Sequence, residues 1–461
     1  MPESPRAQPT GPVMRVLVWK DTPANVRAQI MGRGIGAIFA PELKNSINRI
    51  IDDVRANGDE AVCRALRDFD RVSVHPNQLR CSPSEFEAAR KAVGPELLAA
   101  IREMIGALRR FNEQLMERKG KDWWFESAPG LFVGEKVTPI ASAGLFCPSG
   151  KASYPSVLAQ IGTPCVVAGV PTRVVITPPI RGRIEVDAAT LVVADELGLA
   201  DVFRVNGPAG VAAVAFGTES IPRCVKVVGP GSPAVTAAQV LAQAHGTATM
   251  MLLGPSESLI IADETADPIR LAADLLNEAE HGTDSTALLL TDSVSLLART
   301  QAELARQIVV LPAARHAAAS AALGTNGGAI LVRDLDEAAE VANAFGPEHM
   351  QLAVDASVQQ SLLDQLHNAG EILLGQHTTI SAANFVIGCP ASLPTSGFSA
   401  VSSGITVEAF LKRTAVARAD EPAMRAMAPA VCALSDHEGF PAHANAQRIR
   451  VGGWPSTGIG H

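Results

Sequence analysis

An α/β fold is predicted by three observations. Short β-branched runs such as RVVIT (173–177) and RCVKVVG (223–229) alternate with Ala/Leu-rich helical stretches such as DAATLVVADELG (187–198), the alternation that builds a parallel sheet. A second series opens near Glu257, with ESLIIADE, the helical PIRLAADLLNEAEH, STALLLTD, a further helix and AILVRD in turn. The composition, 47% apolar against 19% charged, fits a compact globular chain and argues against disorder.

Taken in order, residues 1–30 begin MPESPRAQPTGP, lack an apolar signal-peptide core and read as a Pro-rich arm. Residues 31–131 carry helix-period patterns with many charges, as in ELKNSINRIIDDVRANGDEAVCRALRDF (42–69), and read as a helical region packing on the second α/β unit. The early MGRGIG (31–36) follows no convincing strand and reads as a loop rather than a dinucleotide fingerprint. Two α/β units follow in tandem, 132–250 and 251–395, with a boundary near Thr249–Gly254. After Pro394 the chain turns Ser/Gly-rich (TSGFSAVSSG) and ends in helical segments, so 396–461 reads as a small C-terminal module. No GxGxxG opens a βα turn, and there is no Walker A sequence and no short-period repeat.

The net charge of −8 and a pI near 5.7 argue against a nucleic-acid or anionic-membrane partner. No apolar run reaches the ~18–20 residues of a membrane span. Seven cysteines, odd in number, scattered and without a CxxC, fit reduced thiols and a cytoplasmic setting.

Two stretches carry ionisable residues at spacings that suit chemistry. In LLNEAEHGTDS (275–285), Glu278 and His281 share one face of a helix end and could hold a metal ion, although an ordinary solvated helix end gives the same spacing. In FGPEHM (345–350), Glu348 and His349 stand side by side at the edge of a core strand, where a polar strand end is the plain alternative. GPGSPAVTAAQ (229–239) and LLGPSESLIIAD (252–263) are Gly-Pro turns beside strands, where ligand-facing loops of α/β folds lie. HEGFPAHANAQRIR (437–450) places Glu438 and His443 in a polar segment, and Lys151 in PSGKASYP offers charge to an anion or is simply solvated.

GPSE, EAEHG, GPEH and EGFPAH, in that order, resemble the histidinol dehydrogenases, and AFGTESIP (215–222) and FLKRT (410–414) extend the resemblance over roughly residues 41–450. It implies a homodimer of two incomplete Rossmann-like domains, with a C-terminal module reaching the partner subunit. It also implies one zinc per subunit, and NAD-dependent oxidation of an amino alcohol to the acid in two steps. His349 would take protons from the alcohol and from the hydrated aldehyde, and Glu348 would activate the attacking water. A neutral imidazole is a base near pH 7, and a carboxylate beside a metal can polarise water.

This chain departs from the family pattern at several positions. The family's zinc ligands are glutamine, histidine, aspartate and histidine; the matching positions are Glu278, His281, Asn384 and His443. The two exchanges are complementary, so the set keeps one carboxylate and still suits zinc. Of the substrate contacts, Ser156, Ser256 and Glu438 keep the family types, whereas a glutamate and a histidine are replaced by Ile380 and Ala391. Where the family has tyrosine, glutamine and asparagine near NAD, this chain has Phe146, Ala209 and Ser232. An imidazole-bearing substrate would lose partners at Ile380 and Ala391, at ~1–3 kcal/mol for each buried group left unpaired. The expectation is therefore a zinc- and NAD-dependent enzyme acting on a small alcohol other than histidinol. A true histidinol dehydrogenase and a catalytically silent ligand-binding paralogue are the alternatives.

Overall fold

The computed structural model describes residues 13–33, 40–149, 153–250 and 254–452. Lys151 and the second half of MGRGIG (34–36) lie outside the described residues, and Met31 and Gly32, read as loop, end the helix Ala24–Gly32. Thirteen strands are found among them. β1 (Val16–Val18) precedes a helical stretch and an antiparallel pair, β2 (Trp123–Ala128) and β3 (Leu131–Pro139). β4 (Ser142–Phe146), β5 (Thr172–Thr177), β6 (Asp201–Arg204) and β7 (Lys226–Val228) form a parallel sheet in the order β6-β5-β4-β7. β8 (Glu257–Ala262), β9 (Thr286–Thr291), β10 (Gly328–Leu331), β11 (His349–Ala353) and β12 (Glu371–Leu374) join β1 in a second parallel sheet, ordered β1-β10-β9-β8-β11-β12. β13 (Leu411–Ala419) pairs antiparallel with β3. The fold is thus mixed α/β with parallel sheets.

The six-stranded sheet explains why its strands read as continuous apolar runs. In β9, TALLLT, every residue is buried. Ala287 and Leu289 face one core cluster, and Leu288 and Leu290 face the other. A central parallel strand covered by helices on both faces has no solvent side on which to place polar residues. The four-stranded sheet packs its own core, in which Phe146, Val174, Ile176 and Phe203 meet Ile47, Ile51 and Val54 of the helix Pro41–Ala65, so this helix covers the first α/β unit and not, as expected, the second.

Two departures from the sequence reading have physical causes. Val16–Val18 falls inside the stretch read as an arm, yet it pairs with β10 and closes one edge of the sheet. Trp123–Ala128 falls inside the stretch read as helical. All six of its residues are exposed, so it carries no burial period, and its extended form comes from pairing with β3.

The chain divides into two compact units, one of residues 1–114 with 140–410, the other of residues 115–139 with 411–461. The second unit holds the three-stranded sheet β13-β3-β2 and the helices Glu421–His437 and Pro441–Arg450. Gly439, at φ +75°, makes the turn between those helices, and Arg448 pairs with Asp436 across it at 2.6 Å. No helix among the described residues is long and apolar enough to cross a membrane.

Candidate active site

The helix Leu335–Phe345, capped at its start by Asp334, ends at Gly346, whose φ of +58° turns the chain out of the helix. Pro347 then has no N–H to continue helical bonding, and β11 begins two residues later at His349. Glu348 O accepts from Glu371 N at 3.1 Å, and a Cβ added at Gly370 would stand 2.5 Å from that same carbonyl. Glu348 and His349 are therefore placed at the amino-terminal edge of the sheet by tight backbone packing.

Both side chains are buried, at 12% and 3% exposure. Glu348 Oε2 accepts from Glu257 N at 3.0 Å, and its Oε1 stands 3.9 Å from His349 Nε2. The other imidazole nitrogen, Nδ1, lies 2.6 Å from Glu371 Oε1. Glu371 is directly opposite His349 in the β11–β12 register, and Ser258 is opposite on the β8 side. At the start of β8, Glu257 is paired with Arg33 Nη1 at 2.5 Å and accepts from Ser396 N at 3.0 Å. Arg33 also donates to Phe345 O and lies over the Phe345 ring.

This crowding of buried carboxylates sets the proton affinities. Burial pushes Glu348 up to about 8; the charge on His349 opposes the shift, and Glu278 and Glu257 add to it. Burial alone would discharge His349, but the bond from Glu371, with Glu348 and Glu278, outweighs it and raises the imidazole to about 9. Burial likewise raises Glu257 to about 7 against the pull of Arg33. A base is active only when deprotonated. If His349 is the base, kcat/KM for oxidation should rise as pH is increased from neutrality toward about 9. A pH profile that falls over that interval would remove His349 from the role.

The helix Pro268–Ala279 buries Leu271, Leu275 and Leu276 and delivers Glu278 at its C-terminal end. That carboxylate is 1% exposed, and its Oε2 stands 3.6 Å from His281 Nε2. Its Oε1 accepts from Asn384 Nδ2 at 3.0 Å and from Asn277 Nδ2 at 3.1 Å. Three of the four expected metal ligands thus meet at one carboxylate. His443 stands in the second unit, exposed, with its ring 5.2 Å from that of Phe440. Among the described residues no three His, Cys, Asp or Glu side chains alone form a metal-holding group. The set needs the amide of Asn384, turned to present its oxygen, and a fourth donor. The donor chemistry fits a cation: Glu278 is a buried carboxylate whose only ion-pair partner among the described residues is His281.

The substrate candidates divide. Gln160, one turn after Ser156 on the helix Pro155–Val167, donates to Asn384 O at 3.4 Å and accepts from Ala391 N at 3.0 Å. This brings the segment holding Asn384 and Ala391 to the helix that carries half-buried Ser156. Ser256 precedes Glu257 and accepts from Thr286 N at 3.0 Å. Ile380 is fully buried against Leu373 and Ala383, a core position. Glu438 is exposed in the second unit.

The cofactor candidates all lie at carboxyl ends of strands in the four-stranded sheet, the end where open α/β sheets take ligands. Phe146 ends β4 and Ser232 follows β7, flanking the point where the strand order reverses, whereas Ala209 follows β6 at the far edge. Phe146 and Ala209 are buried in the core, so the Phe146 ring is not an exposed aromatic surface, and of the three only Ser232 is exposed. Sequence reasoning missed Glu371, Glu257, Arg33 and Gln160. Glu371 had a signal, a carboxylate heading the apolar run EILLG, the same anomaly that marks Glu348 and His349.

A parallel α/β chain with a buried Glu–His pair and a buried carboxylate that meets a histidine and an asparagine has residues suited to proton transfer and to holding a cation. The family model described as histidinol dehydrogenase matches residues 37–451, and the chain belongs to that family, whose members are NAD-dependent, zinc-binding oxidoreductases. It is 38% identical over 402 residues to a histidinol dehydrogenase homolog of Colwellia psychrerythraea, covering 87% of this chain and 89% of that one. It is 37% identical over 443 residues to a histidinol dehydrogenase of Xanthomonas campestris pv. campestris, covering 95% and 99%. The crystal structure of histidinol dehydrogenase from Elizabethkingia anophelis superimposes with a TM-score of 0.90 at 29% identity, covering 96% of this chain and 99% of that one.

Proposed function

We propose that this chain oxidises histidinol to the acid in two NAD-dependent steps, with His349 as proton acceptor and Glu348 as the group that activates water. The observation that supports this best is the buried pair at the strand edge, its proton affinities raised toward the working range of a general base. The names of the relatives point to histidinol, against the expectation of another alcohol. Ile380 was one of two arguments against histidinol, and its packing against Leu373 and Ala383 weakens that argument. Ala391 remains, and it favours a second reading, a less polar or differently charged alcohol.

Glu278, His281 and Asn384 would hold zinc, with His443 as fourth ligand from a partner subunit. Phe146, Ala209 and Ser232 would mark the NAD-binding end of the four-stranded sheet, and the two parallel sheets would be the two incomplete Rossmann-like halves. Zinc, when bound, would supply Lewis acidity, and NAD would supply the hydride acceptor. His349 Nε2 accepts the alcohol proton, and Glu348 Oε1, 3.9 Å away, is placed to orient a water for the second step. A homodimer in the cytoplasm belongs to the same reading. NADH formation on histidinol and a panel of alcohols, with zinc supplied, tests it. A preference for histidinol supports the first reading, a better alcohol supports the second, and no turnover on any alcohol rejects both.

The exchanged ligands give a separate test. Glu278→Gln alone leaves the set without a carboxylate, and Asn384→Asp alone brings two carboxylates to one buried place. The double variant restores a single carboxylate. Each single change should therefore weaken zinc binding more than the double does, with a coupling of roughly 0.5–3 kcal/mol. Zinc content and dissociation constants of the four proteins measure it. Additive effects, or no zinc in any of them, would mean that the two residues do not share a metal.

A further inference from the structure

The strongest feature that the proposed mechanism leaves unused is the carboxylate on the far side of the imidazole. Glu371 is 6% exposed, and its Oε1 stands 2.6 Å from His349 Nδ1. Its other oxygen, Oε2, accepts from Cys389 Sγ at 3.2 Å. Burial and the Glu371 charge push that thiol up to about 12, so it stays a donor. Both Glu371 oxygens are thus occupied, and the side chain is held from two directions. The backbone fixes it as well, because Glu371 N donates to Glu348 O and Glu371 is the register partner of His349. No arginine or lysine among the described residues forms an ion pair with Glu371, whose ion-pair partner is His349.

We propose that Glu371 is the positioning residue for His349: it accepts the Nδ1 proton, fixes the tautomer, and leaves Nε2 as the nitrogen that takes a proton from the alcohol. This rests on the base role given above to His349. A carboxylate on one imidazole nitrogen orients the ring and stabilises the imidazolium formed when the other nitrogen is protonated. A charge-assisted bond in a buried site is stronger than a neutral one. The proton balance is simple: the alcohol O–H proton moves to Nε2, and the Nδ1 proton stays between His349 and Glu371. Other charged groups also face the ring: Glu348 beside it, Glu257 from β8, and Glu278 from the helix Pro268–Ala279. Glu371 alone holds Nδ1.

Glu371→Gln keeps the shape and an oxygen that can accept from Nδ1, but removes the charge. In the full-length protein labelled at histidine, with His349→Asn used to assign the signal, the His349 titration followed by NMR should move down by roughly one pH unit or more. With the best alcohol, the acid limb of the kcat profile should move the same way. kcat should fall by about 10–100-fold, with KM little changed. Glu371→Asp, shorter but charged, should recover part of both effects. An unchanged His349 titration in Glu371→Gln overturns the proposal even if kcat falls, since a merely structural carboxylate would lower activity without moving it. Failure of wild-type protein to oxidise any alcohol defeats the functional reading instead, and the NMR titration still decides whether Glu371 governs His349.

Discussion

Replacing His349 with asparagine should lower kcat by ~10²–10⁴, the range that a positioned general base contributes. That corresponds to about 3–5 kcal/mol of transition-state stabilisation. Asparagine can still donate to Glu371 Oε1, so the buried carboxylate keeps a partner and the strand pairing through β11 is undisturbed. It cannot accept a proton at pH 7–9. The loss should therefore fall on kcat and kcat/KM together, the pattern of an interaction made in the transition state. Circular dichroism and the unfolding midpoint, measured beside the kinetics, separate lost chemistry from lost structure. A folded variant with near wild-type turnover would end the acid–base assignment.

Replacing Arg33 with methionine should cost roughly 3–5 kcal/mol of stability, because it leaves one member of a buried ion pair without the other. Arg33 and Glu257 side chains are 7% and 3% exposed. Glu257 is already raised to about 7 with the arginine present, and without it the carboxyl rises further. The sign of the pH dependence follows. A carboxyl whose folded pKa lies above its unfolded value binds more protons folded than unfolded between the two, so stability falls as pH rises across that window. The variant's deficit relative to wild type should be largest above pH 8 and shrink toward pH 6, where Glu257 is protonated. Urea unfolding at both values measures it. Equal deficits at the two values would mean that the loss comes from packing against Phe345 and not from the unpaired charge.

The parallel sheets were legible because a strand buried on both faces must be apolar throughout, as TALLLT and ESLIIA are apart from their ends. The strand WWFESA was not, because a fully exposed strand has no such constraint and is held by partners in β3. The same distinction governs the site. Glu348, His349, Glu278 and His281 lie within short motifs whose spacing shows in the chain itself. Arg33 reaches Glu257 across 224 residues, and Glu371 meets His349 only through the β11–β12 register. Neither relation leaves a local pattern. Asn384 became visible only through the resemblance, since nothing around it in SAANFVIG separates it from a surface asparagine.

Gly370 bears on how such a site can be altered by mutation, in nature or in the laboratory. A methyl group at this position would stand 2.5 Å from Glu348 O and 2.9 Å from Leu393 Cβ, too close for either neighbour to be left where it is. A substitution there would move the backbone that carries the Glu348–His349 pair. On the proposed function, Ser256 and Ala391 are the positions to exchange for new substrate preferences, while residue 370 stays glycine. A library built to change what this enzyme accepts should randomise the former and hold the latter fixed.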